Sequence, residues 1–250
     1  MIASFPSLPI IVAIFAVFMA AGTVKGSLGI GLPAVAMSIL PIFIEPALGV
    51  ALVAIPIFVT NFTQFVTVKG WPSVIRRFLL AGVSLAITIF FVSRYVADIP
   101  AQWINILVGS SLCVFALSAL FKLELNVNEG PVWQLLVGIS SGLIGGLSAI
   151  KAPIMIYTVA LKLPREEFIA AAGFLFFCGG VGLIGGLASA ALLNTITLTL
   201  SAGAVVMALA GFKIGAIIRG HLSEKVFRMS LLWLILALGI RLIIVNLGSA

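Results

Sequence analysis

Between residues 9 and 247 the sequence is a succession of ten apolar runs, interrupted only by glycine, proline and small groups of charge. The runs cover residues 9–21, 32–44, 47–68, 74–92, 103–121, 132–144, 152–163, 168–193, 196–218 and 226–247. Runs of this kind belong in a hydrocarbon layer, where no water satisfies the backbone and only helices or closed barrels survive. Barrel strands alternate apolar and polar residues, whereas these runs are continuous, so the pattern predicts an all-α polytopic membrane protein. With 62% hydrophobic and 8% charged residues, the chain is far from the soluble norm of about a quarter charged. No polar stretch is longer than an ordinary connection between elements, so no separate soluble domain is expected.

The net charge of +7 could suggest a nucleic-acid partner. The basic residues, however, stand at the ends of apolar runs, where the positive-inside rule places them, so the lipid bilayer is the expected partner and nucleic acid is not. The first run has no basic residue before Lys25 and leads directly into a glycine-rich stretch, which argues against a signal peptide. Cys113 and Cys178 lie inside apolar runs without CxxC spacing and read as packed thiols. Neither a metal nor a cofactor is called for. The sequence leaves a homo-oligomer open.

Crossing the hydrocarbon takes about 20 residues, within about 17–25, and runs of about 10–14 are more often re-entrant. Six runs are long enough to cross. The first, second, sixth and seventh are shorter and form two consecutive pairs. Each pair is joined by a glycine-rich stretch with one lysine and a closing proline: GTVKGSLGIGLP at 22–33 and GLIGGLSAIKAP at 142–153. Short arms around such a break predict a broken hairpin dipping into the membrane. An offset of 120 residues pairs Val17 with Val137, Gly22 with Gly142, Gly26 with Gly146, Ile30 with Ile150, and Pro33 with Pro153. The expected organisation is therefore one membrane domain of two repeats, 1–125 and 126–250, each a hairpin followed by three spans.

Loop charge sets the orientation. Lys69, Arg76 and Arg77 after the third run, and Arg219, Lys225 and Arg228 against Glu224 before the tenth, mark cytoplasmic loops. The uncharged turn at 194–195 and the uncharged tail then lie outside, as does the N-terminus. A hairpin plus three spans is an odd number of crossings, so the second repeat is inverted relative to the first. The first hairpin enters from outside and the second from the cytoplasm.

The second arm of a broken helix starts with unpaired N–H groups and the positive end of its dipole. Pro33 and Pro153 suit that first turn, since the N–H they lack would have no partner there. Two such N-termini form an anion cradle, to which Lys25 and Lys151 add full charges. Thr23, Ser27 and Ser148 offer hydroxyls, Gly26 and Gly146 close backbone approach, and Asn61 and Gln64 amides on one helix face. The expected ligand is a small anion. The alternative for the lysines is snorkelling to an interface, and for the amides, helix–helix hydrogen bonding.

These two stretches, the KGWP loop at 69–72 and the late AGFKIGAIIRGHLSEKVFR at 210–228 resemble the sulfite exporter TauE/SafE family of membrane permeases. The resemblance runs over nearly the whole chain. It implies transport of sulfite, sulfoacetate or another organosulfonate across the bacterial inner membrane. Both tips depart from the family pattern, with fewer consecutive glycines and a lysine or serine where glycine is common. An anion channel is the nearest alternative. An intramembrane serine hydrolase built on Ser148 is disfavoured because the one histidine, His221, sits in a basic loop far from that depth. The chain is accordingly not expected to be an enzyme.

Overall fold

The computed structural model describes residues 5–29, 31–67, 71–121, 127–218 and 224–248, with the side chains of Arg165 and of residues 224–228 excepted. Among them the chain is all helical: α1 (Leu8–Leu28), α2 (Leu32–Ile39) with a 3-10 turn at Leu40–Ile42, α3 (Pro46–Val66), α4 (Trp71–Ser93), α5 (Ala101–Leu120), α6 (Pro131–Ser148), α7 (Ala152–Ala160), α8 (Arg165–Ser189), α9 (Thr195–Ile218) and α10 (Glu224–Leu247). Lys69, Lys122, Arg219, His221 and Ile30 lie outside the described residues.

Proline punctuates the chain. It stands in the first turn of α1, α2, α3, α6 and α7, and immediately before α5 and α8. Its fixed φ suits a helix start, and its missing N–H costs nothing there. Pro56 is the exception, inside α3. It leaves the Leu52 carbonyl without its helical donor, and Ser201 of α9 donates to that oxygen at 3.4 Å. The outward faces are as apolar as the core, with Val12, Ile87, Phe91, Val206, Ile217, Trp233 and Val245 all exposed. A helix that is apolar all round belongs in lipid, and eight of these helices are long and apolar enough to cross a membrane.

That number is two more than the apolar runs suggest, because α1 and α6 do not stop at the first glycine. They continue for 21 and 18 residues and end at Leu28 and Ser148. The reason is packing. A Cβ at Gly22 would strike the backbone of Ala208 in α9, and one at Gly26 the backbone of Phe212. Glycine held helical by a neighbour at this distance is an interface residue, not a breaker. The short arms are α2 and α7, with 8 and 9 residues.

α1 packs along α9 and α6 along α4; α3 lies on α8 and α9, α4 on α8, and α5 on α10. Exchanging α1–α5 for α6–α10 maps this set of pairs onto itself: α1–α9 becomes α6–α4, α3–α9 becomes α8–α4, and α3–α8 and α5–α10 are unchanged. The close contacts follow the same offset: Gly22 meets Ala208 as Gly142 meets Thr88, and Gly26 meets Phe212 as Gly146 meets Val92.

Two features mark the two ends of α4 and α8. At one end, a cavity of about 400 Å3 is lined by Phe5 just before α1, Ile10 in α1, Ala47 and Ala51 in α3, Ala97 just after α4, Leu192 between α8 and α9, and Thr197 in the first turn of α9. At the other end, Arg77 in α4 binds both Glu129, just before α6, and Glu167 at the start of α8. The α1–α2 pair thus leaves and returns to the cavity end, and the α6–α7 pair to the bridge end.

Candidate functional site

Both breaks are made by one residue in the left-handed region followed by a restart on proline. α1 ends at Gly29, with φ 82°, and α6 at Ala149, with φ 60°. In each the capping N–H returns to the carbonyl four residues earlier, Gly29 to Lys25 at 2.7 Å and Ala149 to Gly145 at 2.9 Å. This αL cap is the ordinary way for a helix to end. At the first break Gly31, with φ 108°, caps α2 as well, a conformation that only glycine adopts cheaply. At the second, Ser148 shapes the turn: its hydroxyl donates to the Ile144 carbonyl at 2.8 Å and accepts from the Ile150 N–H at 3.1 Å.

The lysines stand on opposite sides of their breaks. Lys25 is in the last turn of α1, whereas Lys151 is the N-cap of α7. Each is only 2% exposed, so neither snorkels. Lys25 Nζ donates to Asn61 Oδ1 in α3, and Asn61 Nδ2 donates to the Ile57 carbonyl at 2.7 Å. Lys151 Nζ donates to the Ala149 carbonyl at 3.3 Å and lies 5.5 Å from the centre of the Phe176 ring in α8. Its stem runs past Gly145 of α6 and Gly179 of α8; a Cβ on Gly145 would come within 3.0 Å of it. Gly145 is the offset equivalent of Lys25, so the second half leaves bare the position from which the first half extends its lysine. Lys25 thus reaches α3 and Lys151 passes α8, two helices that pack on one another.

Among the described residues, neither amine has a carboxylate partner, and no group of His, Cys, Asp and Glu could hold a metal ion. An ammonium has three donors, and one bond to a protein oxygen is seen for each. When protonated, each amine therefore keeps donors to spare inside an apolar surround.

The remaining sequence candidates take distinct places. Thr23, Ser27 and Ser148 each direct a hydroxyl to a carbonyl of their own hairpin. Gly26 faces α9, and Gly146 faces Val92 and Ser93 of α4. Gln64 donates to the Ile169 carbonyl of α8 at 3.4 Å, and its buried Oε1 has no partner among the described residues. Pro33 and Pro153 lie in the first turns of α2 and α7. Phe176 and Gly179 escaped the sequence reading. The pair Gly179–Gly180 was the available signal, since adjacent glycines in a buried helix mark a place where something comes close.

Continuous apolar helices around two buried lysines that have no carboxylate partner among the described residues fit a multi-pass membrane protein of the transporter class. The family described as Sulfite exporter TauE/SafE matches residues 14–242, and the chain belongs to it. Membership makes the protein a membrane transporter of the anion-exporter type. No curated protein and no solved structure matches the chain.

Proposed function

We propose that the protein exports a small sulfur-containing anion, such as sulfite, sulfoacetate or another organosulfonate, held between Lys25 and Lys151 at the α3–α8 crossing. The observation that carries this reading is a pair of fully buried lysines without a carboxylate among the described residues. A lysine at membrane depth costs at least about 2.5–3.5 kcal/mol, a cost that a bound anion offsets for both amines at once. The N-termini of α2 and α7 add partial positive charge from two directions. In this reading Asn61 orients the Lys25 amine, Gln64 lies one turn further along α3, and the hydroxyls of Thr23, Ser27 and Ser148 hold the two breaks in shape.

The halves 1–125 and 126–250 act as inverted repeats, each a hairpin and three spans. The exchange-invariant packing and the return of the two hairpins to opposite ends support this. Arg76, Arg77 and Lys162 at the bridge end make that end cytoplasmic under the positive-inside rule. The cavity end, where the described chain starts and where Gln102 of α5 reaches the Asn246 carbonyl of α10 at 2.9 Å, then faces outward across the bacterial inner membrane. An inside-negative potential favours outward movement of one negative charge by about 2.3 kcal/mol per 100 mV, or roughly fiftyfold accumulation.

Uptake of labelled sulfite and sulfoacetate into inside-out vesicles tests this. Lys25→Ala and Lys151→Ala should each slow transport at least about tenfold, the loss expected when a bond to a charged group disappears. Unchanged rate and apparent affinity in both variants would overturn the site. Saturation with counterflow, in place of unsaturable conductance, marks a carrier and not a channel.

A further inference from the structure

The two ends of α4 and α8 differ in a way that the 120-residue offset makes specific. The offset places Arg77 opposite Thr197 and Glu167 opposite Ala47. Thr197 and Ala47 line the open cavity, whereas Arg77 and Glu167 are joined in an ion pair at 2.7 Å. Glu129 completes the bridge by a paired hydrogen bond to the Arg77 guanidinium. Two further contacts tighten the same end. Gln134 of α6 inserts into the ladder of α4, accepting from the Ala81 N–H at 3.1 Å and donating to the Arg77 carbonyl at 3.0 Å. Tyr157 of α7 donates to the Asn128 carbonyl at 3.1 Å. The offset equivalents of Gln134 and Tyr157 are Ile14 and Met37, which can make neither bond. Four elements are thus laced together at one end, and at the counterpart positions of the other there is a cavity.

We infer that Arg77, Glu129 and Glu167 form the gate at the bridge end of the transporter, and that the structure shows the state open at the cavity end and latched at the bridge end. The inference rests on the two-halved transporter reading above. The latch is suited to opening in each cycle: Arg77 and its partners are partly solvent-exposed, and ion pairs in such settings are weak singly and firmer as a bidentate cluster. The charge is placed where it biases a two-state element without making either state permanent. In the alternate state the same symmetry opens the bridge end and closes the cavity around Ala47 and Thr197.

Ala51, which lines the cavity and is 2% exposed, and Ala171, fully buried in α8, are offset equivalents and make a matched pair of reporters. In protein with Cys113 and Cys178 replaced by alanine, single cysteines at these two positions are labelled in detergent by a small charged thiosulfonate. The reporter at 51 should react faster than the reporter at 171. Adding Arg77→Gln should speed the reporter at 171 and slow the reporter at 51, each by roughly fivefold or more, as for a coupling at the lower end of the usual range. Arg77→Lys should fall between. Removing the partners instead, with Glu129→Gln and Glu167→Gln together, should reproduce the shift and serves if Arg77→Gln does not fold. Unchanged rates, or acceleration at both positions, would overturn the gate. No substrate is present in this assay, so failure of sulfite transport would sink the proposed function without touching the gate, and a failed shift would do the reverse.

Discussion

The two helix breaks solve one problem with different residues. The first uses Gly29 and Gly31 in left-handed conformations and brings its lysine from the arm before the break. The second uses Ala149 in that conformation, fixes the turn with the Ser148 hydroxyl, and brings its lysine from the start of the arm after it. Despite this, one amine reaches Asn61 of α3 and the other lies by Phe176 of α8, two helices that pack together. What the two halves share is the position of the break and the helix packing around it; the chemistry placed on that frame is their own. A membrane helix interface explains why, since close backbone approach constrains residue size sharply and leaves the polar groups free to vary.

The largest effect that separates the halves should come from the close-approach glycines. At Gly26 a methyl group would come 2.1 Å from the Phe212 carbonyl oxygen, whereas at Gly146 it would come 2.8 Å from Val92 Cβ and Cγ1 and 3.2 Å from the Ser93 N, a smaller overlap. Gly26→Ala should therefore destabilise by about 3 kcal/mol or more, the upper end for overpacking, and Gly146→Ala by about 1 kcal/mol. Thermal unfolding in detergent checks the order; equal losses would mean that the two crossings are equally rigid. Gly179→Ala comes next and acts on the site. Its methyl group would occupy the path of the Lys151 stem, so it should slow anion transport by roughly tenfold with a stability loss nearer 1 kcal/mol. Asn61→Leu is the matching change in the first half, because it removes the acceptor that holds Lys25.

The class of fold was legible because bilayer burial writes itself into continuous apolar runs, and the break positions were legible because Pro33 and Pro153 share one offset. The length of α1 and α6 was not. Gly22 and Gly26 look like breakers in sequence, and their role emerges only when Ala208 and Phe212, almost the whole chain away, are brought against them. The lysines were visible as candidates, but their burial and their reach to α3 and α8 depend on tertiary contacts that spacing does not encode. Arg77 is the clearest case of partial legibility. Loop charge marked it as a residue for the cytoplasmic end, while the carboxylates that bind it lie 52 and 90 positions further along the chain.

The smallest effect concerns the breaks themselves, and reciprocal substitutions expose it. Gly29 has open space where a Cβ would stand, so Gly29→Ala adds no clash and its cost is that of forcing alanine to φ 82°, about 1–2 kcal/mol. Ala149 already bears that strain at φ 60°. Ala149→Gly relieves it but widens the conformational freedom of the unfolded chain, which takes back about 0.4–1 kcal/mol. The pair should thus move in opposite directions: a lower unfolding temperature for Gly29→Ala, and one unchanged or slightly raised for Ala149→Gly. A clear drop for Ala149→Gly would mean that the Ala149 methyl group supports the Lys151 turn by packing, and that the second break is held by contacts the first one lacks.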